Sequence, residues 1–171
     1  HQFGSKKERQ ELSSKILGVS IDVVQAIGKS TNPILCVYLF TLGTVKKLRE
    51  SMRINEKYKD DEIVCKYGFT KDLVSRARQH EIEYGKTENV KVNLKYYRYI
   101  DFENLSKAEK DIKTIVTPDR DFKYKKYKEL FIASNKDIKT NIKKRYDEVE
   151  TLHCIKNKEY AQIIKDLKTK H

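Results

Sequence analysis

Arg76 and His80 stand four residues apart at the end of the stretch Val64–His80, VCKYGFTKDLVSRARQH. On a helix that spacing puts both side chains on one face. A fixed guanidinium fork beside a titratable imidazole is suited to holding a phosphate and to moving a proton next to it. For the pair to work, the stretch must be a short strand, a glycine turn and a helix. Val64, Tyr67 and Phe69 suit the strand, and Gly68 permits a close backbone approach. Thr70 is the expected N-cap, and Asp72 puts a negative charge in the first helical turn, where it complements the macrodipole. Leu73 and Ala77 are the core-facing positions of that helix.

The composition narrows the partner. Lys and Arg number 37 against 25 Asp and Glu, a net charge of +12 over 171 residues. That balance favours a polyanion, nucleic acid first among them. No apolar stretch approaches the length of a membrane-spanning helix, and no signal-peptide pattern stands near the start, so a membrane partner and secretion are not expected. The three cysteines, Cys36, Cys65 and Cys154, form no CxxC pair, and a structural zinc site is not expected. Cys36 and Cys65 sit in apolar runs and are expected as small buried hydrophobes, their thiols reduced in an intracellular compartment.

The surrounding elements follow from periodicity and punctuation. Lys6–Leu17 is a charged helix stopped by Gly18, with a second short helix expected over Ile21–Ile27. Ile34–Leu42 is almost wholly apolar, the pattern of a strand buried on both faces. Thr44 caps a helix expected to reach Ile54. Val90–Phe102 is a strand with Val92, Leu94 and Tyr96 on one face and Tyr97 and Tyr99 on the other. Asn104–Val116 is a helix with a possible capping box between Ser106 and Glu109, a structural role that would occupy that carboxylate. Arg120–Lys128 interleaves basic and aromatic residues in an expected loop, Leu130–Ala133 is a short strand, and a polar helix runs from Ser134 to about Lys168. The expectation is an α+β fold: a small twisted three-stranded sheet flanked by helices, with an N-terminal helical segment and a long C-terminal helix. The boundaries are 1–32 for the N-terminal segment, 33–134 for the central domain and 135–171 for the C-terminal helix.

In this order of elements the chain resembles the GIY-YIG nuclease superfamily, in the variants carried by large DNA viruses and phages. The first family motif, a strand ending in Tyr, corresponds to Cys36-Val37-Tyr38. The second corresponds to Lys66-Tyr67-Gly68, with Lys66 where the family commonly has Tyr. Arg76, eight residues after Gly68, takes the place of the family Arg, and His80 that of a His used by several members. Glu109, on the helix after the third strand, takes the place of the family Glu. The chain departs from the pattern in a long insertion between Tyr38 and Gly68.

The resemblance implies a divalent-metal-dependent endonuclease acting on nucleic acid, DNA before RNA. Glu109 would hold Mg2+ or Mn2+, Tyr38 would orient or deprotonate the attacking water, and Lys66 would lower the Tyr38 pKa. Arg76 would stabilise the transition-state charge, and His80 would position water, touch the phosphate or assist proton transfer. Lys71, Arg78, Arg120, Lys123, Lys125 and Lys126 would line the phosphate track, with Phe122, Tyr124 and Tyr127 pinning their loop to the core or stacking on bases. A viral chain of this kind would act in the cytoplasm or nucleus of a host cell, and its C-terminal helix could join a second copy or another domain. The alternative is a nucleic-acid-binding module that keeps the fold and has lost cleavage.

Overall fold

In the computed structural model, residues 6–18, 20–22, 25 and 35–155 are described. The elements in chain order are α1 (Lys6–Leu17), β1 (Cys36–Thr44), α2 (Val45–Leu48), β2 (Ile63–Thr70), α3 (Leu73–Tyr84), β3 (Asn93–Tyr99), α4 (Leu105–Lys113), β4 (Asp121–Tyr124), β5 (Tyr127–Ala133) and α5 (Lys143–His153). One helical turn, Asn135–Asp137, and a π-helical segment, Ile138–Ile142, lead into α5. Most of the helix expected over Ile21–Ile27, the residues beyond Ile155 and the start of the strand at Ile34 lie outside the described residues.

The α+β class holds, but the sheet has five strands rather than three, in the order β3-β1-β2-β5-β4, and all its pairings are antiparallel. Of the two additional strands, β4 lies within the segment expected as a loop, and β5 is the short strand expected over Leu130–Ala133, extended back to Tyr127. Phe122 and Tyr124 point inward and are buried while Asp121 and Lys123 are exposed, a period of two that marks a half-buried strand. The turn joining β4 to β5 carries no Gly or Asn. Lys125 adopts the left-handed conformation instead, at φ 52°.

Helices cover both faces of this sheet. Tyr38, Phe40, Val64, Leu130 and Ile132 meet Ile16 and Leu17 of α1 and Leu73, Val74, Ala77 and Tyr84 of α3. On the other face Val37, Leu39, Cys65, Tyr67 and Phe131 meet Ala108 and Ile112 of α4 and Tyr146 and Val149 of α5. The unbroken apolar run of β1 is therefore buried on both sides, as its composition requires. The C-terminal helix up to His153 is a wall of this second core: Ile138, Ile142, Tyr146 and Val149 are buried, whereas Leu152 is exposed.

Several boundaries differ from expectation for local reasons. The helix after Thr44 ends at Leu48; Thr44 does cap it, accepting from the Lys47 amide. Beyond it, the Arg49 guanidinium gathers the insertion, donating to the Tyr58 carbonyl and the Asp60 carboxylate, each at 2.8 Å. In β3, a register shift opposite Leu39 and Phe40 breaks the alternation. Leu94 therefore packs with Tyr97 and Tyr99 on the α3 face, and Tyr96 turns to the other.

Candidate functional site

Tyr38 lies in the middle of β1, opposite Gly68 of β2 on one side and Tyr97 of β3 on the other. Its ring occupies the space that a side chain at position 68 would fill. A Cβ on Gly68 would stand 2.5 Å from the Tyr38 hydroxyl, inside any tolerable contact. The close approach expected of Gly68 is thus an approach by Tyr38. From the opposite face the buried Tyr146 hydroxyl donates to the Tyr38 carbonyl at 2.6 Å. Backbone and ring of Tyr38 are held from both sides of the sheet.

The helix that carries Arg76 and His80 is aimed by its first turn. Asp72, not Thr70, is the N-cap: its carboxylate accepts from the Ser75 amide at 3.0 Å and the Ser75 hydroxyl at 2.8 Å. Thr70 remains in β2 and its hydroxyl receives the Asp72 amide. A carboxylate makes the stronger cap because it also meets the positive end of the helix.

His80 comes to rest against Tyr38, with Nε2 3.1 Å from the hydroxyl. It is 2% exposed and boxed by the rings of Tyr38, Phe40 and Tyr84, at centroid distances of 5.6, 5.1 and 5.7 Å. Burial, with the charges of Lys66 and Arg76 added, pulls its pKa down to about 3. The imidazole is therefore neutral, and its Nδ1 has no hydrogen-bond partner among the described residues. Burial also raises the Tyr38 pKa; the Arg76 charge, and a hydrogen bond from it, act in the opposite direction. Arg76 itself is half-buried beside this hydroxyl.

Lys66 departs from its expected part. Its ammonium group donates to the Lys128 carbonyl at 2.8 Å, and its charge acts on His80. The cation beside the phenol is Arg76. Burial lowers the Lys66 pKa, opposed by the negative charges of Glu129 and Glu83.

Glu109 is half-buried on α4, across the sheet from His80. Asn104 stands at the N-cap position without a side-chain cap bond and the helix begins at Leu105, so Ser106 lies inside it and the expected capping box does not form. Glu109 is thereby released from that role. Glu109 lines a cavity of about 50 Å³ together with Tyr67, Gly68, Glu129 and Lys113. This cavity lies at the edge that β2 exposes once β5 has stopped pairing with it at Lys66. The volume admits an ion with a few waters. One or two carboxylates with water and phosphate oxygens suit a hard hydrated cation such as Mg2+. No group of three or more candidate metal ligands exists among the described residues.

The basic residues divide. Lys71 precedes α3 and holds its ammonium group 4.7 Å from the ring of Phe102, itself 62% exposed. Arg78 is half-exposed on α3. Lys123, Lys125 and Lys126 are exposed on the β4–β5 hairpin. That hairpin meets the far end of α3, where the Tyr127 hydroxyl donates to the Glu83 carbonyl at 3.2 Å. Phe122 and Tyr124 are buried and anchor the hairpin. Arg120 is used elsewhere, its guanidinium paired with the buried Glu62 carboxylate at the start of β2. Thiol chemistry is absent from the site: burial pushes Cys36 up to about 12 and raises Cys65 as well.

Two carboxylates near the cluster were not singled out from the sequence. Glu83 follows His80 by three residues, a spacing visible in the chain. Glu129 had no such signal; it enters the cavity from a left-handed backbone at φ 62°.

No protein-family model matches the chain, and no solved structure matches it. It is similar to three uncharacterized proteins of Acanthamoeba polyphaga mimivirus. One is 40% identical over 137 residues, 79% of this chain and 28% of the relative. A second is 38% identical over 132 residues, 76% of this chain and 29% of the relative. A third is 37% identical over 113 residues, 66% of this chain and 19% of the relative. The chain thus spans less than a third of the length of these curated relatives. They agree with the viral kinship expected from the sequence. No helix among the described residues is long and apolar enough to cross a membrane.

Proposed function

We propose that this domain is a divalent-metal-dependent endonuclease of the GIY-YIG type, cleaving phosphodiester bonds in DNA inside a host cell. The observation that carries the reading is the Tyr38–His80 hydrogen bond with Arg76 alongside it, built from β1 and α3 beneath Gly68. Three residue types needed for phosphoryl hydrolysis meet there, in the order expected of that superfamily.

Arg76 would receive the phosphodiester, since its fork of donors matches two phosphate oxygens. Burial is the main cause of the depressed His80 pKa, and an anion bound at Arg76 would offset only the added part that comes from the Lys66 and Arg76 charges. Tyr38 would take a proton from the attacking water as its own passes to His80 Nε2. His80 acts through Tyr38, because its burial keeps it from a phosphate. A divalent cation held by Glu109, with Glu129 across the cavity, would supply charge neutralisation at the phosphate oxygens. Lys71, Arg78 and the hairpin lysines would track the backbone beside α3, a helix of twelve residues and therefore about 18 Å long.

One observation favours the second reading, a binding module without cleavage: Tyr38 is only 1% exposed. Catalysis requires water to reach that phenol. Cleavage of supercoiled plasmid decides between them, with Mg2+, with Mn2+ and with chelator, comparing the parent chain with Arg76→Ala and Glu109→Gln. Metal-dependent nicking lost in both variants supports the nuclease. Salt-sensitive DNA binding with no nicking under either metal establishes the binding module in its place.

A further inference from the structure

The buried imidazole of His80 leaves one question that its hydrogen bond to Tyr38 does not answer. If Nε2 accepts the phenolic proton, Nδ1 must carry the ring hydrogen. That nitrogen has no partner within hydrogen-bond distance among the described residues, in a side chain 2% exposed. Buried donors of this kind are rarely left unpaired without a functional reason. The nearest carboxylate oxygen is Glu83 Oε2, 3.8 Å from Nδ1 and on the same helix three residues on.

We propose that Glu83 is a positioning residue, the outer member of a Tyr38–His80–Glu83 chain in which it accepts from Nδ1–H and so fixes the tautomer that leaves Nε2 open to the Tyr38 hydroxyl. The inference deepens the nuclease reading and rests on it for its purpose, though not for its geometry. The Glu83 carboxylate is 35% exposed and free to close the remaining distance. It is already steered, since Gln79 donates to its other oxygen at 3.2 Å. The Tyr127 hydroxyl binds the Glu83 carbonyl, so the backbone is anchored independently of the side chain.

The charges around the imidazole assign the chain its direction. From β1 it faces Tyr38 and Phe40, from β2 the Lys66 charge, and from its own helix Arg76, Glu83 and Tyr84, the last packed on Tyr127 of β5. Two of these groups are cations that oppose a charged ring, and Glu83 is the carboxylate within reach to oppose them. When the Tyr38 proton moves to Nε2, the ring becomes an imidazolium with both nitrogens protonated. The positive charge is then met by Glu83 while Tyr38 regains a proton from the attacking water. The same logic, a carboxylate behind a histidine that serves a hydroxyl, orders the imidazole in hydrolytic triads.

The test has two independent readouts on the full chain. The first is the nitrogen spectrum of 15N-histidine-labelled protein, which reports the tautomer of each ring whether or not the protein cuts DNA. His80 is expected as the Nδ1–H form in the parent and in Glu83→Gln, which keeps an acceptor, and as a mixture of tautomers in Glu83→Ala. An Nε2–H form in the parent, or an unchanged spectrum in Glu83→Ala, overturns the proposal. The second readout is nicking: Glu83→Ala is expected to lower kcat about a hundredfold, the lower end of what a positioned proton acceptor contributes, with KM unchanged. Glu83→Gln is expected to recover part of that loss with a shifted pH profile. Equal kcat in parent and Glu83→Ala overturns the role. If the parent never nicks, the nuclease reading fails and the tautomer readout still decides the chain.

Discussion

His80 and His153 are both buried, at 2% and 8% exposure, and they are built in opposite ways. His153 closes α5 with its Nε2 2.8 Å from the Asp111 carboxylate of α4, while its carbonyl receives the Asp101 amide and the Asn104 side chain. Every one of these bonds ties the C-terminal helix to α4 and to the segment that precedes it. His80 has a phenol where His153 has a carboxylate, and its second nitrogen is unmatched. A clip between helices gains from a charge-assisted partner. The His80 ring sits among aromatics, and burial first, then the charges of Lys66 and Arg76, keeps it neutral. The first arrangement joins two helices, and the second, on the proposed function, serves the Tyr38 hydroxyl.

The widest separation between the two should come from removing each ring. His80→Ala is expected to reduce plasmid nicking by roughly a factor of 10² to 10⁴. His153→Ala should leave nicking at the parental rate and lower the thermal midpoint instead. Equal losses of nicking in the two variants would remove the distinction drawn here.

The acid limb of stability sharpens the same contrast. The folded pKa of His80 lies near 3, below the ordinary 6.5, so the unfolded chain binds more protons between these values. The neutral ring's contribution is complete above about pH 6.5 and falls as the pH drops toward 3, by at most about 1.4 kcal/mol per pH unit. Urea titrations across that window should show the slope in the parent and in His153→Ala, and a shallower slope in His80→Gln.

Gly68→Ala tests the contact that seats Tyr38. The added methyl meets the phenol at 2.5 Å, so unfolding free energy should fall by about 1–3 kcal/mol, with nicking lost as the ring is displaced. Tyr38→Phe in the same background removes the hydroxyl contact but leaves the ring carbon at 2.8 Å, so it should return only part of the stability and none of the activity. Asp111→Ala is expected to cost about 1.5–3 kcal/mol by chemical denaturation, the value of a hydrogen bond to a charged group, with nicking intact. The smallest effect belongs to Lys125→Ala and Lys126→Ala. Each should reduce the salt dependence of DNA binding by about one phosphate contact and leave stability unchanged.

Much of the site's frame was legible along the chain because it rests on short-range rules. Four-residue spacing put Arg76 and His80 on one face, and both do lie beside Tyr38. The unbroken apolar run of β1 required a sheet covered on both sides. The Thr44 cap was visible in its residue type. The hairpin was not, because its turn uses a left-handed Lys125 and its alternation spans only four residues. Thr70 and Asp72 are both competent caps, and only the length of β2 chose between them.

Residue types and local periods by themselves determined the basic surface, the glycine that leaves room at position 68, and the helix that presents an imidazole and a guanidinium together. They act within a turn or two, where backbone geometry dictates who is next to whom. Tertiary structure decided which group each side chain meets: His80 the Tyr38 hydroxyl, Lys66 the Lys128 carbonyl, Arg120 the Glu62 carboxylate. Those choices depend on burial and on residues tens of positions away. They exist only once the sheet has been assembled and the helices have closed over its two faces.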